Sequence, residues 1–133
     1  MPYHFEFDST HRILRCRLEG GLTDESIKEY YRAVPKFVAL TDPRASVFDL
    51  SAVTSLEVSP ETVRELAKWP PAMPHPERPR IVIAASPAIF GLARMFELLG
   101  QVTRPNFHVV RSEKEALVIL GVPQTNYEPV ATK

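Results

Sequence analysis

The sequence predicts a single α/β layered domain with a mostly parallel sheet and the element order β-β-α-β-α-β-α-β-α. Three observations lead to this fold class. The chain has 133 residues, a length that suits one domain. Two segments near its start alternate between apolar and polar residues, which predicts an antiparallel N-terminal hairpin. Short apolar runs then alternate with capped amphipathic segments, and strands that are joined through helices lie parallel in a sheet.

The hairpin is predicted from two segments of period-two alternation, residues 3–8 and 14–19. Residues 9–11 supply the turn between them. Gly20 and Gly21 are expected to end the second strand. The single cysteine, Cys16, falls on the predicted inward face, where a thiol behaves as a small apolar side chain.

The first helix is predicted from its N-terminus and its periodicity. Thr23 is followed by two acidic residues, which is typical of an N-cap and a first turn. Apolar residues then recur at helical spacing as far as Val38. Pro35 lies inside this pattern, where it removes a backbone donor and crowds the preceding turn. We therefore expect a kink or an early stop at Pro35.

The middle of the chain predicts a covered strand, a short helix and a stiff connection. Residues 45–50 form a nearly continuous apolar run, typical of a strand that is covered on both faces. Ser59 and Pro60 predict the N-cap and first residue of a second helix that ends at Trp69. Five of the thirteen prolines lie between positions 70 and 79, which indicates a semi-rigid connection within one domain.

Residues 80–85 form the most strand-like run of the chain. Ser86 and Pro87 repeat the combination of cap and proline, and they predict a third helix that runs to about Leu99. Gly100 is expected to stop it.

The last strand is predicted at residues 106–111. Ser112 and Glu115 then form the pattern of a capping box, and the fourth helix is predicted to end at Gly121. Residues 124–133 are expected to be a loose C-terminal tail of the single domain that spans 1–133.

Composition and charge argue against several classes of function. Sixteen basic and sixteen acidic residues give a formal net charge of zero, which argues against a nucleic-acid partner. The apolar runs are too short for a membrane span and the N-terminus lacks the pattern of a secretory signal, so we expect a cytoplasmic protein. One cysteine and four scattered histidines predict no metal site. We find no catalytic constellation and no phosphate-binding loop, and expect neither an enzyme nor a cofactor.

The segment from residue 47 to residue 60, VFDLSAVTSLEVSP, resembles the core of STAS domains. This is the fold of bacterial anti-anti-sigma factors and of the cytoplasmic part of sulfate transporters. In that family a strand ends in a run similar to D-L-S-G-V, and D-S-S-G follows at the start of a helix. Asp49, Leu50, Ser51 and Val53 match the first motif. Residues 90–100 and 109–121 look like a bacterial branch of standalone STAS-like proteins.

The second motif matches less closely. Glu57 stands where the family has Asp, Val58 replaces the first Ser, and Pro60 replaces the Gly. Ser59 takes the position of the serine that is phosphorylated in regulatory members. The resemblance therefore implies a phosphoacceptor candidate at Ser59, with Asp49, Ser51 and Glu57 flanking it. The residues themselves favour a structural role for Ser59, as the N-cap of a helix whose first residue is proline, over a phosphorylation switch.

The third helix carries the other candidate surface. One arc of it is apolar and should meet the sheet: Ile89, Leu92, Ala93, Met95, Phe96 and Leu99. Phe90, Arg94 and Leu98 fall on the opposite side, where Phe and Leu are surplus to core packing. We expect this side to form a two-fold homodimer in which Arg94 pairs with Glu97 of the second copy.

The resemblance implies a non-enzymatic module that binds a protein partner, or itself, in a regulatory role. The same superfamily includes the lipid-binding CRAL-TRIO domains, which implies an alternative: a small apolar or lipid-like ligand held between the third helix and the sheet. An enclosed apolar cavity would favour the ligand, whereas a filled core with an exposed apolar patch would favour the protein partner.

Overall fold

The computed structural model describes residues 3–130, which fold into one sheet with helices on both faces. The elements are β1 (Tyr3–Asp8), β2 (Ile13–Thr23), α1 (Asp24–Thr41), β3 (Ala45–Glu57), α2 (Pro60–Lys68), β4 (Arg80–Ile83), α3 (Pro87–Leu99), β5 (Phe107–Val110), α4 (Glu113–Leu120) and β6 (Glu128–Pro129). The strand order is β5-β4-β3-β2-β1-β6. Neighbours from β2 to β5 are parallel, and β1 is antiparallel to both β2 and β6. The predicted fold class is confirmed.

The two faces of the sheet bury different helices because side chains alternate along each strand. Phe48 and Val82 point to the face that α1 and α3 cover. Val47 and Ile81 point to the opposite face, which packs against α4. Helix α2 lies on the same side as α1 and α3, where its Val63 joins a cluster with α3 and β5. The part of the chain described here has no helix that is long and apolar enough to cross a membrane.

The second and third strands are longer than the sequence predicts. The glycine pair does not end β2. Gly20 takes a positive φ of 82°, and the pairing register of β2 with β3 shifts on either side of it, as it does at β-bulges. The ladder resumes beyond the bulges, where Thr23 pairs with Glu57. From Ser51 onward β3 is half-buried or exposed, so the apolar run ends before the hydrogen-bonded strand does.

Helix α1 continues through Pro35 to Thr41, so the predicted early stop is wrong. Pro35 is exposed, and its ring therefore occupies the solvent side of the helix while Val34 and Val38 on the inner side are buried. The predicted N-cap is confirmed, since Thr23 Oγ1 accepts from the Ser26 backbone N–H at 3.1 Å.

The ends of α3 and α4 correct three details. Ser86 occupies the N-cap position of α3, yet its side chain makes no capping hydrogen bond. Leu99 was expected to face the sheet but is 51% exposed, because it lies about 60° around the helix from the buried Phe96, at the edge of the apolar stripe. In α4, Ser112 Oγ caps as predicted, whereas the Glu115 carboxylate accepts from the Arg111 N–H instead of from Ser112.

Residues 124–130 are not a loose tail. They return to the free edge of β1, where the Val130 N–H donates to the Phe5 carbonyl at 3.0 Å. The Tyr127 ring lies under the Arg15 guanidinium, 4.0 Å from its centroid. An edge strand presents unpaired backbone groups, and this pairing satisfies some of them. The last three residues of the predicted tail, 131–133, lie outside the described residues.

Candidate functional site

Ser59 lies at the point where β3 gives way to α2, and it is half-buried. Its Oγ accepts from the Thr62 backbone N–H at 3.2 Å, which is the geometry of an N-cap. The Ser59 N–H donates to Asp24 Oδ1 at 2.9 Å, and Ser59 Oγ lies 3.4 Å from Asp24 Oδ2. The hydrogen bond from the Ser59 backbone is the main cause that holds the pKa of Asp24 below its ordinary value.

This arrangement bears on the phosphoacceptor hypothesis. A phosphate on Ser59 would meet the free amides of the first turn of α2, which favour an anion. It would also lie against the Asp24 carboxylate, and two like charges at this distance repel. The geometry therefore supports the capping role of Ser59. Phosphorylation of Ser59 stays a prediction, and the negative charge of Asp24 would disfavour a phosphate there.

The residues predicted to flank Ser59 do not converge on it. Asp49 alternates with Phe48 and therefore faces the α4 side of the sheet, where its Oδ1 accepts from the Ser51 N–H at 3.0 Å. Ser51 and Glu57 are exposed and belong to the same strand. Glu57 is six positions after Ser51 in extended chain, a span of about 20 Å at 3.3 Å per residue. The matched motif is thus drawn out along β3 and forms no pocket around Ser59.

The three candidates on α3 are separated as well. Phe90 is half-buried against the core, and the Arg111 guanidinium covers its ring at 4.1 Å. Arg94 pairs with Glu97 of its own helix, so that Glu97 already has a partner. Leu98 is 56% exposed. Phe90 therefore drops out of the predicted surface, and the exposed apolar residues nearest to Leu98 along the chain are Leu99 and Val102.

A cavity of about 110 Å³ lies between the sheet and helices α1, α2 and α3. It is partly open to solvent, and its wall is mostly aliphatic and aromatic. The polar members of the wall are Tyr30, Tyr31, Ser46, Arg80 and Arg104. Met73, from the proline-rich connection, closes one side. The cavity lies where the ligand hypothesis puts it, between α3 and the sheet, and its wall is apolar, but it is not fully enclosed as that hypothesis expects.

Two tyrosines from α1 line this cavity. Tyr30 stacks on Phe48 with ring centroids 3.8 Å apart, and Tyr31 meets Trp69 edge-on at 6.1 Å. Burial raises the pKa of Tyr30 well above its ordinary value and that of Tyr31 to about 12. Both hydroxyls are therefore neutral at pH 7 and available as hydrogen-bond donors.

Arg104 is buried, and its bonds explain why it is there. It precedes β5, and its guanidinium donates to the carbonyls of Ala67 at 3.2 Å and Trp69 at 3.0 Å, at the end of α2. A cation at the C-terminus of a helix meets the unpaired carbonyls and the negative end of the dipole. The guanidinium also covers the Phe96 ring at 4.7 Å.

Arg80 is buried without comparable compensation. It starts β4 in phase with Val82, so its side chain enters the core below α1 and α3. Nη2 donates to the Met73 carbonyl at 2.6 Å, whereas Nε is buried with no hydrogen-bond partner among residues 3–130. No carboxylate of those residues lies within 4.0 Å of the guanidinium, although the charge of Glu77 acts on it from a longer distance. Burial is the main cause that lowers the pKa of Arg80, but arginine stays protonated at neutral pH.

Sequence reasoning missed this part of the site. The run at 80–85 predicted a covered strand, and a charged residue in phase with Val82 was the signal that one of its inward positions is not apolar. Elsewhere in the described chain, no group of three or more His, Cys, Asp or Glu side chains is placed to hold a metal ion. Cys16 is buried, and burial raises the pKa of its thiol.

Comparison with known proteins identifies the fold. No family model matches the sequence, and no curated protein matches it significantly. A crystal structure of an anti-sigma factor antagonist from Mycobacterium paratuberculosis has a TM-score of 0.61 at 22% identity, over 90% of this chain and 92% of that chain. The anti-sigma factor antagonist SpoIIAA in its unphosphorylated form has a TM-score of 0.58 at 13% identity, over 92% of this chain and 99% of that chain. The chain therefore has the STAS-like fold that its sequence predicts.

Proposed function

We propose that this STAS-fold protein is a non-enzymatic regulatory module that acts by binding protein, beginning with a second copy of itself. The observation that carries the proposal is the likeness over 90% or more of the chain to two anti-sigma factor antagonists, proteins named for an action on another protein. A shared fold alone does not assign a partner. The surface of this chain supplies the second argument.

Three large apolar side chains are exposed around the C-terminal end of α3. Leu98 is 56% exposed, Leu99 51% and Val102 94%. Exposed apolar groups that follow one another on one end of an element are typical of interaction surfaces. A stable contact needs about 1,000 Å² of total buried area, so residues next to these three must contribute to it.

We expect the protein to sediment as a dimer that a double Leu98→Ser and Val102→Ser variant converts to a monomer. The substitutions remove two exposed apolar groups without touching the core. Val118→Ser is the matched control, because Val118 is 77% exposed on α4, on the other face of the sheet. Sedimentation velocity across a dilution series measures the effect. A monomeric wild type contradicts self-association, and a dimer that survives the double change places the interface elsewhere.

A second candidate function is the binding of a small apolar ligand, and the cavity below α3 favours it. The lining is mostly apolar and brings only a few polar groups together, which is the usual composition of a small-molecule site. Its volume of about 110 Å³ approaches that of engineered apolar cavities of about 150 Å³ that bind benzene. A ligand about the size of a six-carbon ring therefore suits the volume of this cavity.

Toluene is expected to raise the melting temperature of the wild-type protein, because a ligand that binds only the folded state stabilises it by mass action. Ala93→Leu places a larger side chain on the cavity wall and is expected to abolish the shift. Ala88→Leu, at an exposed position of the same helix, is the control that should keep it. Equal melting temperatures with and without saturating toluene would rule out a neutral ligand of this size.

A further inference from the structure

We propose that the ligand of this cavity is a small monocarboxylate, with an apolar body of about six carbons and a carboxylate that pairs with Arg80. This inference rests on the second candidate function and names the chemical class of the ligand. Its starting point is a buried charge without an ion pair: Arg80 is 8% exposed, and among the described residues the nearest acidic influence, Glu77, acts on it only from beyond ion-pair distance.

Buried charged groups in proteins are normally paired, because removing an ion from water is costly unless another charge or a set of hydrogen bonds replaces the solvent. The Arg80 guanidinium has one hydrogen bond within the described chain, from Nη2 to the Met73 carbonyl. Nε is buried and unpaired. A guanidinium presents its N–H groups as a planar fork that matches the two oxygens of a carboxylate. The unpaired Nε is therefore free to donate to one oxygen of a bound carboxylate.

Arg104 shows that burial of an arginine in this core does not by itself indicate a ligand. Its guanidinium donates hydrogen bonds to the carbonyls at the end of α2 and lies over the face of the Phe96 ring. Arg80 has no such set of partners although both residues line the same cavity. Two arginines on the wall of one mostly apolar cavity favour an anion there, and Glu77 offsets their charge only from beyond ion-pair distance.

The neighbourhood of Arg80 also suits a carboxylate in detail. Tyr30 and Tyr31 lie near Arg80, and their hydroxyls are neutral donors. The rest of the wall is apolar, which suits the body of an aromatic or short aliphatic acid. The volume of about 110 Å³ is too small to enclose the long acyl chain of a membrane lipid. The chemistry thus selects a small organic acid over the lipid-like ligand that the sequence suggested.

The test uses three probes of one shape: benzoate, benzamide and toluene. Isothermal titration of the whole protein at pH 7 should show benzoate binding at least about tenfold more tightly than toluene, with benzamide closer to toluene. Arg80→Met should lose about tenfold or more in affinity for benzoate and keep its affinity for toluene. Arg78→Met is the matched control, because Arg78 pairs with Asp42 at the surface two residues away, and it should behave as wild type.

The outcomes separate the two proposals. If toluene binds and benzoate binds no more tightly, the carboxylate inference is overturned and the apolar ligand site stands. If benzoate and toluene both fail to bind, both proposals fail. The ratio of the two wild-type affinities decides the question even if Arg80→Met does not fold. A tight benzoate complex that Arg80→Met leaves unchanged would also overturn the assignment of Arg80.

Discussion

Replacing Asp8 by alanine is expected to lower the free energy of unfolding by about 3 kcal/mol, as removal of one partner from a buried charged network does. Asp8 ends β1 and is 1% exposed. Its carboxylate accepts from the His11 backbone N–H at 3.1 Å, lies 3.0 Å from His11 Nδ1 and accepts from the Asn126 N–H at 3.1 Å. One side chain therefore joins the hairpin turn to the segment that returns to the edge of the sheet.

Urea denaturation of wild type, Asp8→Ala and the surface control Glu19→Ala measures this effect. Among residues 3–130, Glu19 forms only exposed ion pairs, with Arg17 and His4, so its loss should change the free energy of unfolding by less than about 1 kcal/mol. Equal losses for Asp8→Ala and Glu19→Ala would mean that the Asp8 network contributes nothing beyond a surface pair.

The same carboxylate gives a pH dependence. Burial raises the pKa of Asp8, but the hydrogen bonds from His11 and Asn126 outweigh it, so the net shift is downward. A folded-state pKa below the unfolded value means that the stabilisation is present above about pH 4 and is lost as the pH falls through the folded pKa. Asp8→Asn carries no titrating group there, and its acid unfolding should be less steep than that of wild type. Parallel acid transitions would contradict the prediction.

The elements of the fold could be predicted because their signals are local. Thr23 and Ser59 cap their helices through bonds to the third residue after them, a pattern that the sequence displays within four positions. The extents of β2 and β3 could not be predicted in the same way. Their final segments pair with each other across bulges while their side chains are half-buried or exposed, so no alternation of apolar residues marks them.

The site depends on relations that are remote in sequence. Asn126 reaches Asp8 across 118 positions, and no local pattern announces that the C-terminal segment will be held there. The cavity arises from the way three helices pack on one sheet, so no single residue in the sequence indicates it. Arg80 is visible in the sequence, but the absence of a carboxylate near it becomes apparent only once the described chain is folded.

The two buried arginines are expected to respond in opposite directions when each is replaced by methionine. Arg104→Met should lower the free energy of unfolding by about 2 kcal/mol, because it leaves buried carbonyls at the end of α2 without a donor. Arg80→Met should raise the free energy of unfolding by about 1–2 kcal/mol, since it removes a buried charge that has no ion-pair partner among residues 3–130 and fills a similar volume. The lost bond to the Met73 carbonyl offsets part of that gain.

Chemical denaturation in the absence of any added acid measures both variants against wild type. A large loss of stability on Arg80→Met would show that the guanidinium has partners that compensate its burial, and the case for an external carboxylate would weaken with it. If Arg80→Met raises the free energy of unfolding and Arg104→Met lowers it, the Arg104 charge stabilises the fold and the Arg80 charge does not, as expected of a charge that serves binding. Natural proteins retain destabilising groups at sites of function, where the ligand supplies the missing interaction. Benzoate should then narrow the difference in stability between wild type and Arg80→Met, because it binds more tightly to the protein that keeps the guanidinium and so stabilises that protein more.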